Sequence, residues 1–273
     1  MKAAADALAI DPSLPFAQAL FVEAEGASWL KSIEAYERVL RLKPNHMAAM
    51  DILAWNLVFT GYARESEALA QRFAEIDPLS TRAQRALAEA LGPIGRLDEC
   101  LAALDAFRQL NRESDPYSGS ICLPPDKRAE NSLASVESYL QREGLPTDLL
   151  QELAAGASDP TTGPALLDRL IPLIVAPVSD EHAWLISLEL HGLYLSYGFL
   201  DRYYELIDPA PVPETQWSDT SNLVFIGQLF WQSGFTTHPR YLEAAEANGL
   251  IELWDQRGAP DHCEKLVGLW VCE

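Results

Sequence analysis

Three residues near the end of the chain, His262, Cys263 and Cys272, are of types that bind metals or carry covalent chemistry. Structural zinc sites use closely spaced pairs of Cys or His ligands, and the spacing here differs from theirs. The alternatives are a disulfide between Cys263 and Cys272, which needs an oxidising setting, and two packed free thiols. Two packed free thiols are the favoured prediction, the disulfide stays open, and metal binding by these three residues is the weakest of the three predictions.

A nucleophilic pair of Cys263 with His238 is the other chemistry that these residue types support. Such a pair also needs an orienting group and an oxyanion site, and the sequence shows no motif for either. Residues 180–182 (Asp-Glu-His) have the pattern of an acidic helix N-terminus, and His191 lies in an apolar stretch typical of a buried histidine. The sequence also lacks Gly-x-Gly-x-x-Gly and P-loop motifs. We therefore expect no enzyme, no catalytic residues and no cofactor.

Charge and composition exclude several classes of partner and location. The chain of 273 residues has 40 acidic and 20 basic residues, a net charge of −20 at pH 7. This charge repels phosphate backbones and anionic lipid headgroups, so we expect no direct contact with nucleic acid. The longest strongly apolar stretch, 167–178, is too short to cross a membrane and is interrupted by charges and prolines. With no signal-peptide pattern at the start and only four Cys residues, we expect a cytoplasmic protein.

Residues of matching type recur at an offset of 34 along the first part of the chain. Gly61 and Gly95 lie at this offset. The other matched pairs are Leu53 with Leu87, Ala54 with Ala88, Leu57 with Leu91, Ser66 with Cys100, Phe73 with Phe107 and Ile76 with Leu110. The apolar positions in each unit predict two amphipathic helices, the glycine predicts the turn between them, and a proline such as Pro78 predicts the end of the second helix.

These spacings resemble the tetratricopeptide repeat, a pair of helices with a small residue, an aromatic residue and a closing proline at fixed offsets. Met50 and Gln84 stand where that repeat usually has a tryptophan, and Arg112 replaces the last proline. The resemblance implies a right-handed solenoid of stacked helix pairs over residues 1–112. Residues 4–12 fit a second helix, so we expect the first repeat to be truncated.

The period fails beyond residue 112, although helical patterns continue. Residues 113–131 have the Pro, Gly and Ser density of a loop or linker. Residues 132–213 predict irregular helical hairpins, and residues 214–273 predict a helical cap at the C-terminal end. Since no strand alternation competes with these patterns, we expect the whole chain to be all-α.

The final segment resembles the closing segment of a group of bacterial tetratricopeptide proteins. In that group the repeats often follow a class III adenylate cyclase domain or a winged-helix DNA-binding domain. The residues that carry the resemblance are His238-Pro239-Arg240-Tyr241, Gly249-Leu250, Leu253-Trp254, Gly258-Ala259-Pro260-Asp261-His262-Cys263 and Cys272. Two positions depart from the group, where Leu253 replaces an aromatic residue and His262 replaces a phenylalanine. The resemblance implies the signalling, sensory or regulatory part of a longer bacterial protein.

The concave groove of a tetratricopeptide solenoid is lined by the first helix of each repeat. The wall positions in this sequence are Asp51, Trp55, Phe59, Arg82, Arg85 and Glu89. Trp55 is of the type that anchors interfaces, and the two arginines are of the type that grips a carboxylate. The alternative for Trp55 is packing against a neighbouring helix.

The sequence therefore predicts a scaffold that mediates protein or peptide binding and is not an enzyme. The alternative is an enzyme or a small-ligand sensor with its site in the helical region 113–213. The candidate residues of that site are His182, His191 and Asp201.

Overall fold

The computed structural model describes residues 2–111, 122–142, 144, 147–174, 181–206 and 234–273. This part of the chain is mostly helical, as the all-α prediction requires. The helices of the first part are α1 (Lys2–Ile10), α2 (Pro15–Ala24), α3 (Trp29–Leu42), α4 (Met47–Phe59), α5 (Ala63–Ile76), α6 (Thr81–Leu91) and α7 (Leu97–Leu110). Each packs against the next along the chain, and α4 also contacts α6 directly.

The repeated positions of the sequence form the turns and the core of these helices. Gly61 and Gly95, at the predicted turns, have φ angles of 93° and 75°, which glycine adopts without steric penalty. The small Ser66 of α5 lets this helix lie close to α4. The Ser66 hydroxyl donates a hydrogen bond to the carbonyl of Ala54 on α4 at 2.7 Å. Phe73 and its repeat partner Phe107 are both buried. Most positions of the 34-residue pattern therefore hold consecutive helices together, whereas Ile76 at the end of α5 is exposed.

The middle of the chain forms five further helices. They are α8 (Pro125–Arg142), α9 (Thr147–Gly156), α10 (Gly163–Ile174), α11 (Glu181–Ser196) and α12 (Leu200–Leu206), with α11 packed against α8, α10 and α12. The predicted linker 113–131 is wrong over its last residues, because α8 already begins at Pro125. A proline suits the first turn of a helix, where its missing N–H is not needed. Residues 112–121 and 207–233 lie outside the described residues.

The C-terminal part contains two helices and a β-hairpin. The helices are α13 (Tyr241–Ala247) and α14 (Leu250–Arg257), and the strands are β1 (Cys263–Leu266) and β2 (Leu269–Cys272), paired antiparallel. The prediction of a helical cap over 214–273 is therefore wrong for its last residues. Strands of four residues give too little alternation to detect in the sequence. Their pairing is held by a disulfide and by tertiary contacts.

The four cysteines form two disulfides, Cys100–Cys122 and Cys263–Cys272. The preference for free thiols at Cys263 and Cys272 is therefore wrong, and the bond from α7 to the residues before α8 was not predicted. Reducing compartments keep thiols unpaired, so both bonds weigh against the expected cytoplasmic location. In the described residues no helix has the length and apolar character needed to cross a membrane.

Candidate functional site

The residues predicted to line the groove come from two helices that contact each other. Helix α4 carries Asp51, Trp55 and Phe59 at intervals of four residues, which places them along one face of the helix. Helix α6 carries Arg82, Arg85 and Glu89 in a similar way. Because α4 and α6 are in contact, Asp51 of α4 lies beside Arg82 and Arg85 of α6.

Four of these residues form a network of ion pairs, which we call the groove cluster: Asp51, Arg82, Arg85 and Glu89. The Asp51 carboxylate lies 3.4 Å from Arg82 Nη1 and 3.9 Å from Arg85 Nη2. Arg85 Nε lies 3.7 Å from a carboxylate oxygen of Glu89. These separations exceed those of short charge-assisted hydrogen bonds. The cluster is therefore loosely paired, and it bridges α4 and α6.

The depth of the four side chains differs strongly within the groove cluster. The carboxylates of Asp51 and Glu89 are largely buried, whereas the Arg82 side chain is 67% exposed. Burial raises the pKa of Asp51, against the lowering effect of Arg85 and Arg82. Burial also raises the pKa of Glu89 to about 7, with Arg85 opposing the shift and Asp51 adding to it. The two carboxylates of the cluster thus lie at its buried side, and the Arg82 guanidinium lies at its solvent-exposed side.

Two aromatic residues lie beside the groove cluster on α4. The rings of Trp55 and Phe59 meet edge to face, with centroids 4.7 Å apart. Phe59 is buried in the core, and Trp55 is partly buried against it. Phe59 therefore does not line an open groove. It lies in the last turn of α4, next to residues 60–62, and the C-terminal part of the chain packs on those residues. Trp55 packs against Phe59 and keeps an exposed portion, and its role as an interface anchor stays a prediction.

The residues of the weak metal prediction are engaged in other bonds. Cys263 and Cys272 are joined to each other, so neither sulfur is a thiolate that could bind zinc. His262 is buried, with its Nε2 atom 2.7 Å from the Tyr241 hydroxyl, and burial lowers the pKa of His262 to about 4. In the described residues no group of three or more His, Cys, Asp or Glu is placed to hold a metal ion.

The residues of the alternative site in 113–213 lie in different surroundings. His191 is buried, with its ring edge to face with that of Tyr203 at 6.1 Å. Asp201 is exposed and pairs with His238, at 3.1 Å from its Nε2 atom. The side chain of His182 lies outside the described residues. His191 thus packs on Tyr203 and Asp201 pairs with His238, and neither contact joins His191 to Asp201 in one site.

Sequence reasoning missed the interface between the turn at 60–62 and the chain end. The hydroxyl of Tyr62 donates to the carbonyl of Gly258 at 2.7 Å, and the N–H of Asp261 donates to the carbonyl of Gly61 at 2.8 Å. The carboxylate of Asp261 accepts the backbone N–H of Arg64 at 2.8 Å. Gly61 was the available signal, because glycine also permits close approach of another backbone.

Comparison with known proteins gives no family for this chain. No protein-family model matches it, and no curated protein matches its sequence. The groove cluster and the packing of the helices therefore form the basis for a functional proposal.

Proposed function

We propose that this chain is a helical-repeat scaffold, built like a tetratricopeptide solenoid over residues 1–112, whose first-helix groove binds a protein or peptide. The observation that carries the proposal is the groove cluster. It joins α4 and α6, which are the first helices of two successive proposed repeats. Stacked helix pairs create extended concave surfaces of this kind, and such surfaces are used for binding. The consecutive packing of α2 to α7 and the two glycine turns support the same arrangement.

Arg82 is the part of the groove cluster that suits partner recognition. Its exposed guanidinium makes one loose contact of 3.4 Å with Asp51. A carboxylate of a partner can displace this contact and form a bidentate pair, which is stronger and more directional. Arg85 is less exposed and lies between Asp51 and Glu89, so it fixes the positions of these two carboxylates.

Trp55 supplies an apolar anchor next to this polar contact. Tryptophan and arginine are the residue types that most often dominate binding energy at interfaces, each typically contributing about 2 kcal/mol or more when truncated. The partly buried Trp55 is held by the ring of Phe59, so its position is fixed before a partner arrives. A fixed anchor loses little conformational entropy on binding.

The charge of the chain adds a condition on the partner. A net charge of −20 attracts proteins that are basic overall and raises their association rate. We propose a basic partner that presents a carboxylate and an apolar side chain together to Arg82 and Trp55. The bacterial signalling context comes from the sequence resemblance of residues 238–272 alone and belongs to the same proposal.

The test uses peptides selected from a displayed random library for binding to the wild-type protein. The double variant Trp55→Ala with Arg82→Ala should lose at least about tenfold in affinity for those peptides. The matched control is Arg41→Ala, because Arg41 has the same 67% exposure and a surface ion pair of its own, with Glu37 on α3. Equal affinities for all three proteins would reject the groove as the binding site.

A further inference from the structure

The terminal β-hairpin has one apolar face that points away from the protein. The strand register pairs Glu264 with Val271 and Leu266 with Leu269 on the same side of the hairpin. We call these four residues the outer face. Its three apolar members are exposed, with Leu269 at 73%. A strand face in contact with water normally carries polar residues, so the outer face departs from the expected alternation.

The turn of the hairpin has an unfavourable residue at its most exposed point. Val267 and Gly268 connect the strands with φ angles of 50° and 84°, as in a type I′ turn. Asparagine or glycine is the usual first residue of such a turn, and a β-branched residue is strained there. The side chain of Val267 is also fully exposed. Folding therefore gains nothing from this valine, which is the kind of outlier that marks a functional position.

The opposite side of the hairpin packs against helix α14. The Cys263–Cys272 disulfide joins the strands at their base. The ring of Trp270 packs on that of Trp254 at 5.5 Å, and its indole N–H donates to Asp255 at 3.0 Å. Lys265 pairs with the same aspartate. The outer face is thus held in a fixed position before any partner binds, which lowers the entropic cost of docking.

We propose that the outer face and Val267 form a docking surface for an amphipathic, basic helix of a partner protein. The apolar face of a β-sheet is buried against another layer in a stable assembly, and a helix is an element that commonly supplies this layer. The inner side already packs against the body, so the outer face is the side that remains to be covered. Exposed apolar patches with polar neighbours are typical of protein interaction sites.

The basic character of the helix follows from the charges around the outer face. Glu264 lies on the outer face itself, Glu273 follows β2, and the chain as a whole carries −20. Lysine or arginine beside the apolar stripe of the partner helix would pair with these carboxylates. The same negative charge disfavours an anionic membrane as the occupant.

A second copy of the chain fits less well than a helix. Stable interfaces use roughly 20–30 residues on each side, and the outer face with Val267 has five. Two copies would also bring equal negative charges together. An amphipathic helix instead needs only a short apolar stripe of two or three turns to cover this face.

The probe is a synthetic helical peptide with leucine on one face and lysine on the other, and its partner peptide has glutamate in place of lysine. We expect the lysine peptide to bind the wild-type protein by fluorescence anisotropy, and Leu269→Ser to weaken binding about tenfold. Leu79→Ser is the matched control, since Leu79 is 75% exposed but lies far along the chain, between α5 and α6. This variant should bind like the wild type, and the glutamate peptide should bind at least about tenfold less well.

A second variant separates docking from folding. Val267→Asn should weaken peptide binding while leaving the melting temperature unchanged or raised, because asparagine suits the turn. The variant Trp55→Ala with Arg82→Ala should bind the lysine peptide as the wild type does. A failure of the groove proposal can therefore be distinguished from a failure of the docking proposal. The docking proposal is overturned if the wild type binds neither peptide, if both peptides bind equally, or if Leu269→Ser and Leu79→Ser behave alike. Concentration-dependent dimerisation that Leu269→Ser abolishes would also overturn it, in favour of a second copy.

Discussion

The indole N–H of Trp254 donates to the backbone carbonyl of Thr60 at 3.0 Å, which ties the end of the chain to the turn between α4 and α5. Both groups are buried. Arg257, one turn later on α14, reaches back to Glu37 at 2.6 Å and to Glu65 at 2.5 Å. The C-terminal part therefore packs on the side of the helix pairs around residues 37–65. The sequence had predicted a helical cap over residues 214–273, and these contacts place Trp254 of that segment beside the turn between α4 and α5.

Gly61→Ala should destabilise the protein far more than an ordinary glycine substitution at a turn. A Cβ atom at residue 61 would lie 2.8 Å from both His262 and Pro260, and the φ angle of 93° is itself unfavourable for alanine. We expect a loss of about 3 kcal/mol or more in the free energy of unfolding, measured with urea.

The control for this substitution is Gly249→Ala. Gly249 also has a positive φ, of 73°, but a Cβ atom there meets nothing within 4 Å. Its loss should be only about 1 kcal/mol. Equal losses for the two variants would mean that the chain end does not pack on Gly61.

His262 should make the protein less stable as the pH falls from about 6.5 to about 4. Burial lowers the pKa of this histidine to about 4 from 6.5 in the unfolded chain. Between these values the unfolded state binds the proton and the folded state does not, so the stabilisation present above pH 6.5 is progressively lost, by about 3 kcal/mol in total. The measurement is the urea midpoint at a series of pH values.

His262→Phe isolates this contribution, because phenylalanine keeps a ring at the site and does not titrate. The variant should lose the Tyr241 hydrogen bond and show a flatter stability profile than the wild type over this window. A profile parallel to that of the wild type would show that His262 is not buried as described.

Glu89 should have the opposite effect over part of the same range. Burial raises its pKa to about 7 from 4.5, so stability is fully present below about pH 4.5 and is lost as the pH rises through 7. Glu89→Gln removes the titrating group, so its free energy of unfolding should fall less than that of the wild type as the pH rises. The difference between the two proteins should reach up to about 3 kcal/mol at pH 8.

Glu99→Gln is the control for Glu89→Gln. Glu99 is an exposed glutamate on α7 whose hydrogen bonds from Arg96 lower its pKa. Because its pKa lies below the ordinary value, its substitution should leave the slope between about pH 6 and pH 8 unchanged. A Glu89→Gln profile with the wild-type slope would contradict the buried carboxylate in the groove cluster.

All four cysteines should be protected from alkylation in the unreduced protein. After denaturation, mass spectrometry should show no alkylated cysteine without a reductant and four with one, since both pairs are bonded. Replacing Cys100 and Cys122 together by serine should cost about 3 kcal/mol, because the bond limits the unfolded chain. Four alkylated cysteines without reduction would restore the free thiols that the sequence had favoured.

Local patterns predicted much of the helical part and the positions of the groove cluster. The offset between Gly61 and Gly95 placed the turns correctly, and the four-residue spacing from Asp51 to Trp55 placed both on one face. The 34-residue period then predicted that α4 and α6 carry equivalent positions, which explains why Asp51 and Arg85 meet.

Contacts between residues far apart in the chain could not be predicted from local sequence patterns. The burial of Phe59 accompanies packing by residues almost 200 positions away, for which no local pattern exists. The β-hairpin depends on a disulfide and on Trp270 packing against Trp254, so its four-residue strands carry too little signal by themselves. The Cys100–Cys122 bond likewise depends on where the chain returns after α7.

The most direct test of the binding proposal is hydrogen exchange of the wild-type protein with and without a peptide selected for binding. We predict that the peptide slows exchange in α4 (Met47–Phe59) and α6 (Thr81–Leu91) together, and that it leaves α9 (Thr147–Gly156) unchanged. Protection confined to residues 122–206, with none in α4 and α6, would contradict the groove and favour the alternative site in the middle of the chain.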